Sequence, residues 1–168
     1  GMCLKLHLLS GECIVPLDKK EYEKYNKLEK KYFFKLSTDQ NKILKEVLKN
    51  SADFKVHLIQ GTTGSGKTIV YFKAVEKKLN KGLQALILLP EIGLTSEFEK
   101  KFKEFFGFNA AVWHSGITPK RKKIIWTGLA TGEIKVVIGA RSSLFLPFKN
   151  LGIITVDEEH DQSFKQDE

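Results

Sequence analysis

The sequence predicts an α/β fold, a parallel sheet covered by helices on both faces, and three observations carry that expectation. Short apolar runs alternate with helix-length amphipathic segments from residue 54 onward, the order that builds parallel strands joined by helices. Two of those runs, 86–89 and 153–156, are continuously apolar instead of alternating, as burial beneath helices on both faces requires. The 168 residues, 42% apolar and 29% charged, suffice for one core and leave little room for two.

Each element follows from a local pattern. Residues 18–35 (DKKEYEKYNKLEKKYFFK) are dense in charge, with Tyr22, Tyr25, Leu28 and Tyr32 recurring every three or four, so they read as an amphipathic helix outside the main sheet. Ser37 or Thr38 can cap a second helix over 39–50, where Ile43, Leu44, Val47 and Leu48 form one stripe. The run FKVHLIQ (54–60) reads as the first strand, and a helix over 67–80 ends at Gly82. Strand 85–90, helix 95–106, a short strand at 110–114 and helix 119–130 follow, and strands at 134–139 and 151–156 complete the alternation. There is no internal repeat and no low-complexity linker.

Composition narrows the function classes. No apolar run approaches the ~18 residues of a spanning helix, and the start of the chain lacks the charge and cleavage pattern of a signal peptide, so a cytoplasmic protein without a membrane partner is expected. Cys3 and Cys13 are the only cysteines; they support neither a disulfide framework nor a four-ligand zinc site and read as small buried thiols. The net charge is +8, yet residues 157–168 carry six acids against Lys165, which leaves +13 on the rest. A basic body with an acidic end favours a polyanionic partner. Its densest basic cluster, Lys120, Arg121, Lys122 and Lys123, falls on a predicted helix and reads as a solvated face.

Chemistry concentrates in two places. GTTGSGKT (61–68) matches the phosphate-loop pattern between a predicted strand and a predicted helix. Gly61, Gly64 and Gly66 let backbone N–H groups curl around oxyanions, with Thr62, Thr63 and Ser65 filling the turn, and the helix start adds its positive dipole end. Lys67 suits the β- and γ-phosphates, and Thr68 suits Mg²⁺. A triphosphate site also needs a metal-holding carboxylate at the C-terminal end of another buried strand. Asp157 after the 153–156 run fits that part, and Glu158 fits the base that activates water, so ATP hydrolysis is favoured over phosphoryl transfer to a small molecule.

These motifs, with LLPEIGLT (88–95), HSG (114–116), IGARSSLFLPF (138–148) and VDEEHDQSFKQ (156–166), resemble in order and wording the primosomal replication-restart DNA helicases of superfamily 2. The resemblance covers residues 37–168, read as a partial ATP-binding lobe; residues 1–36 form an N-terminal extension, with Gly1 as a tag residue before a linker and the charged helix. It implies a RecA-like phosphate-loop NTPase lobe in a protein that uses ATP to translocate 3′ to 5′ on single-stranded DNA. Single-stranded and forked DNA, primosome proteins and single-strand-binding proteins are the partners it implies.

By position, the resemblance assigns Lys67, Glu158 and His160 to catalysis and coupling, Thr68 and Asp157 to the metal, and Gln40 to the adenine edge. Gln40 is also read as a polar first-turn residue. Thr95, Arg141, Ser142 and Ser143 match positions that touch the DNA backbone, and Phe164 opens an aromatic-rich loop where a ring would stack on a base. His114 fits either a DNA contact or the end of a strand.

The family's DNA-binding modules, second lobe with an arginine finger, and eight-cysteine zinc region have no counterpart in these residues, so zinc is expected only with that further part. The isolated piece is expected to bind nucleotide weakly and to hydrolyse it slowly or not at all. A silent-site DNA-binding or interaction module is the alternative, and a kinase or transporter ATPase the third reading. In the implied fold a central sensor strand would begin beyond Glu168, so the lobe is expected to be truncated before it. The DEEH strand is then expected to shift, to pair with another copy or to lie displaced from Lys67, because unpaired buried strand edges are costly.

Overall fold

A computed structural model describes residues 18–26, 34–49, 54–60 and 66–157. In chain order these form α1 (Lys19–Asn26), α2 (Thr38–Leu48), α3 (Lys67–Asn80), β1 (Gln84–Leu88), α4 (Ser96–Phe106), β2 (Ala111–Trp113), α5 (Pro119–Thr131), β3 (Val136–Gly139) and β4 (Leu151–Val156). Two single 3₁₀ turns, Glu91–Gly93 and Arg141–Phe145, follow β1 and β3. All strand pairings are parallel, in the order β2-β3-β1-β4.

Local chemistry sets the helix ends. Ser37 caps α2 in a reciprocal box with Gln40, Thr95 and Thr118 cap α4 and α5 through their hydroxyls, and Pro119 opens α5 where its missing N–H costs nothing. Gly107 and Gly132 close α4 and α5 in the left-handed region that L side chains avoid.

The sheet is covered on both faces. Ala85, Ile87, Leu89, Val136 and Ile138 pack with Phe72, Phe98, Phe102, Phe105 and Phe106 of α3 and α4. Leu86, Ala111, Trp113 and Val137 pack on the opposite face with Tyr22 and Tyr25 of α1 and Ile125 and Leu129 of α5. Period-two alternation of side chains makes both faces of β1 and β3 apolar. The large polar side chain of Gln84 is buried among them. Gln84 donates to Leu129 O at 3.1 Å and Ile134 O at 2.8 Å and accepts from the Asn150 N–H at 2.8 Å, so its amide joins the ends of α5 and the start of β4 without a stranded polar atom.

α1 docks closely on α5. The Tyr22 hydroxyl, pushed above its ordinary range by burial and next by Glu21, donates to Ile124 O at 2.9 Å. Gly128 permits the approach, since a Cβ there would meet Tyr22 Cε1 at 2.5 Å and Ile134 Cδ1 at 2.6 Å. Gly128→Ala is expected to lower the unfolding free energy by about 1–3 kcal/mol, the range for an overpacked core. Urea denaturation checks this, and an unchanged midpoint would show that α1 yields without cost.

Two sequence expectations need correction. Residues 54–60 form no strand, and Phe54, Val56 and Leu58 are 92%, 82% and 82% exposed. A strand exists through its ladder, and the apolar content of FKVHLIQ cannot supply a neighbour. Nor is 153–156 fully buried: Ile154 and Val156 are exposed, and among the described residues only β1 pairs with β4. The strand leading to Asp157 does pair within the chain, at the edge of the sheet and in register with β1 from Ala85↔Ile153 to Leu88↔Val156. The element outside the ladder is the one leading to the phosphate loop, not the one carrying the acids. It stays near the sheet, because Ile59 and Ile153 pack against the same small cluster of Leu44, Val70 and Ala74.

Candidate nucleotide and DNA site

Parallel strands send their C-terminal ends to one edge, where loops gather the chemistry. That edge is held together beyond the strands: Ala140 N–H donates to Trp113 O at 3.1 Å, Leu89 N–H to Gly139 O at 3.0 Å and Asp157 N–H to Leu88 O at 2.9 Å. Residues 114–116, the two 3₁₀ turns and Asp157 therefore follow neighbouring strands along one rim.

At this rim α3 begins on Gly66, whose φ of 78° lies in the left-handed region. A glycine cap adds no side chain of its own, and the helix start directs backbone N–H groups and positive dipole outward. Lys67 and Thr68 stand half-buried in the first turn. Gln40 reaches this point from α2. Its Oε1 accepts from the Ser37 N–H at 2.8 Å, and its Nε2 donates to Gly66 O at 3.4 Å. A Cβ on Gly66 would run into Gln40 Nε2, so the bare glycine backbone and the carboxamide occupy one cradle.

Asp157 is joined to the same helix. Tyr71, one turn beyond Lys67, donates its hydroxyl to Asp157 Oδ2 at 2.9 Å. The strand-end acid and the helix that starts with the GKT residues are thus bonded to each other. Sequence reasoning missed Tyr71; the available signal was a hydroxyl-bearing ring in an apolar helix stretch, four residues after the lysine. Gly61, Thr62, Thr63, Gly64, Ser65, Glu158, His160 and Phe164 lie outside the described residues.

The residues matched to DNA separate into two groups. Thr95 is exposed, and its hydroxyl accepts from the Phe98 N–H at 3.2 Å. Arg141 and Ser142 are also exposed. Ser143 is a correction: it is 0% exposed, and its hydroxyl donates to Ala140 O. Its side chain lies inward because the turn packs closely on Gly139, where a Cβ would meet Ser143 Cβ at 2.7 Å, so it fixes the loop and cannot reach a phosphate. His114 ends β2 and accepts the Gly116 N–H on Nδ1 at 3.0 Å. Lys120, Arg121 and Lys123 are exposed at the start of α5.

Among the described residues no group of His, Cys, Asp and Glu could hold a metal by itself, and no helix is long and apolar enough to cross a membrane.

A parallel sheet covered on both faces, with the helix that begins at the GKT residues tied through Tyr71 to a strand-end acid, is an α/β RecA-like lobe. Residues 37–168 match the DEAD/DEAH box helicase family, and the chain belongs to it. Within that family it is similar to replication restart protein PriA of Rickettsia felis, at 54% identity over 114 residues, 68% of this chain and 18% of that protein. It is 44% identical over 134 residues to the PriA of Bacillus subtilis, 78% of this chain and 17% of the relative. With the Helicobacter pylori protein it shares 46% over 130 residues, 77% and 20% of the respective lengths. The chain therefore spans about a fifth of the length of these relatives. A solved structure of RecG bound to a three-way DNA junction matches with a TM-score of 0.67 at 30% identity, covering 84% of this chain and 20% of that one.

Proposed function

We propose that this chain is the ATP-binding lobe of a 3′ to 5′ DNA helicase that acts in replication restart and primosome assembly. The bond from Tyr71 to Asp157 carries the reading, because it brings the tandem-acid strand to the helix that Lys67 begins. The cradle at Gly66 fits a phosphate group, since backbone donors at a side-chain-free helix start favour an anion.

In this reading Gly61, Thr62, Thr63, Gly64, Ser65 and Gly66 present the loop backbone to the phosphates, and Lys67 neutralises the β- and γ-oxygens. Thr68 and Asp157 would hold Mg²⁺, which would supply charge neutralisation to the phosphates. Glu158 takes the proton of the attacking water, and His160 links nucleotide state to DNA. Gln40 reads the adenine edge after exchanging its bonds to Ser37 and Gly66 for the base. Thr95, Arg141 and Ser142 hold the backbone of a single strand or a fork, with Phe164 against a base. Primosome and single-strand-binding proteins are the proposed protein partners, and the cytoplasm the proposed compartment.

One observation favours a weak or silent nucleotide site in the chain as it stands: the segment entering the phosphate loop lies outside the ladder. Binding of Mg-ATP is therefore expected to be weak, with slow or no turnover. Lys67→Ala is expected to reduce the binding at least about tenfold, the scale of a lost charge-assisted hydrogen bond. Titration calorimetry, with turnover measured with and without single-stranded DNA, checks this. Nucleotide binding indifferent to Lys67→Ala would overturn the ATP-lobe reading. Salt-sensitive DNA binding without nucleotide binding would support the silent module.

A further inference from the structure

The 3₁₀ turn after β3 displays an aromatic ring that no core explains. In a 3₁₀ turn positions i and i+3 line up, which sorts Arg141–Phe145 and the next residue into three rows. Ser143 and Leu146 form the inner row, 0% and 7% exposed. Arg141 aligns with Leu144, and Ser142 with Phe145, on the outer rows. Phe145 is 64% exposed and Leu144 48%.

This exposure is not slack in the loop. The Ser143 N–H donates to Ala140 O at 2.9 Å and the Leu146 N–H to Ser143 O at 3.2 Å, Ser143 is wedged against Gly139, and Leu146 packs in the core with Trp113 and Ile125. A turn pinned at both inner positions holds its outer side chains in water. On the neighbouring strand, the turn after β1 does the same with Ile92, 68% exposed, between Gly93 N–H donating to Pro90 O at 2.8 Å and Leu94 N–H donating to Glu91 O at 3.1 Å. β3 and β1 pair directly, so the two turns stand side by side on the rim.

We infer that this pair of turns is a base-stacking shelf for single-stranded nucleic acid, with Phe145 as the platform and Leu144 and Ile92 as its apolar margins. The inference rests on reading the same rim as a DNA path. The charge beside the ring selects the occupant: Arg141 and Ser142 are exposed in the same turn, Arg141 in the row of Leu144 and Ser142 in the row of Phe145, an anion-binding pair beside the shelf. The one acid within these two turns, Glu91, is engaged by the Ser115 hydroxyl at 3.3 Å, and the chain as a whole is +8. An aromatic face serves every base equally, so the shelf adds affinity without sequence preference.

Binding of a fluorescein-labelled 15-nucleotide dT strand to this chain, followed by anisotropy at several salt concentrations, tests the assignment. Phe145→Ala is expected to weaken binding roughly tenfold with the salt dependence unchanged, because a neutral contact releases no counterions. Phe145→Trp is expected to match or exceed the original ring. Arg141→Ala is expected to weaken binding and to reduce the salt slope by about 0.7, the share of one phosphate on a single strand. Because the ring lies outside the core, urea midpoints of the Phe145 variants should equal that of the parent. Failure of the unaltered chain to bind the strand would overturn the DNA-path reading itself. Binding that survives Phe145→Ala within twofold, or a loss that Trp does not restore, would overturn the shelf alone.

Discussion

Replacing Phe72 by Ala is expected to remove about 3–5 kcal/mol of folding stability, the range for deleting a buried aromatic ring. Phe72 is fully buried on α3 and touches four rings of α4: Phe98 and Phe102 at centroid distances of 5.8 Å, Phe105 and Phe106 at 5.3 Å. The surrounding rings are themselves packed, with Phe102 stacked on Phe106 at 4.3 Å, so none can swing into the gap without losing its own contacts. Against a total stability of ~5–15 kcal/mol for a domain of ordinary size, this one change approaches the unfolding threshold. Urea denaturation measures it, with Phe54→Ala as the control. Phe54 is almost wholly exposed and its loss should stay within about 0.5 kcal/mol. A Phe72→Ala cost below about 1 kcal/mol would mean that the aromatic cluster reorganises and does not act as one packed unit.

The same cluster separates what periodicity reveals from what it hides. The stripe of α3 was legible to its last residue: a helix over 67–80 is expected from the spacing and Lys67–Asn80 is observed, because Gly66 and Gly82 punctuate an unbroken helical pattern. The three-residue strand Ala111–Trp113 was also legible, as were helices on both faces. What failed was the strand over 54–60. Apolar alternation describes what a segment can do on a sheet, whereas membership depends on a neighbour that offers its N–H and C=O groups. The converse holds at β4, where the sequence reads as deeply buried and the fold leaves one side exposed.

The candidate site was legible by type and not by contact. Glycine, lysine and threonine at fixed spacing mark the proposed phosphate turn, because few other uses need that spacing. The partner that ties Asp157 to α3 is a tyrosine hydroxyl, which no motif encodes, since any helix position facing the strand end could have supplied it. Ser143 shows the opposite error: a serine beside an exposed arginine reads as a phosphate contact, yet in this 3₁₀ turn the row of Ser143 and Leu146 is the one packed inward.

Gly66 joins local conformation to the site, and its substitution is the second large effect. Gly66→Val is expected to cost about 2–4 kcal/mol. Some 1–2 kcal/mol comes from holding an L residue in the left-handed region, and the remainder from crowding against Gln40. The two contributions can be separated, because Gln40 is removable whereas the backbone angle is not. In a double-mutant cycle, Gln40→Ala alone should cost about 0.5–2 kcal/mol, the loss of its part in the Ser37 capping box and its bond to Gly66. In the presence of Gln40→Ala, Gly66→Val should become cheaper by the crowding part while retaining the conformational part. Urea unfolding of the four proteins gives the coupling directly. A Gly66→Val cost that is the same with and without Gln40 would show that the carboxamide moves aside freely. A cost below about 1 kcal/mol in both backgrounds would show that the turn relaxes to negative φ, and the helix would then start without the open backbone cradle on which the proposed phosphate recognition rests.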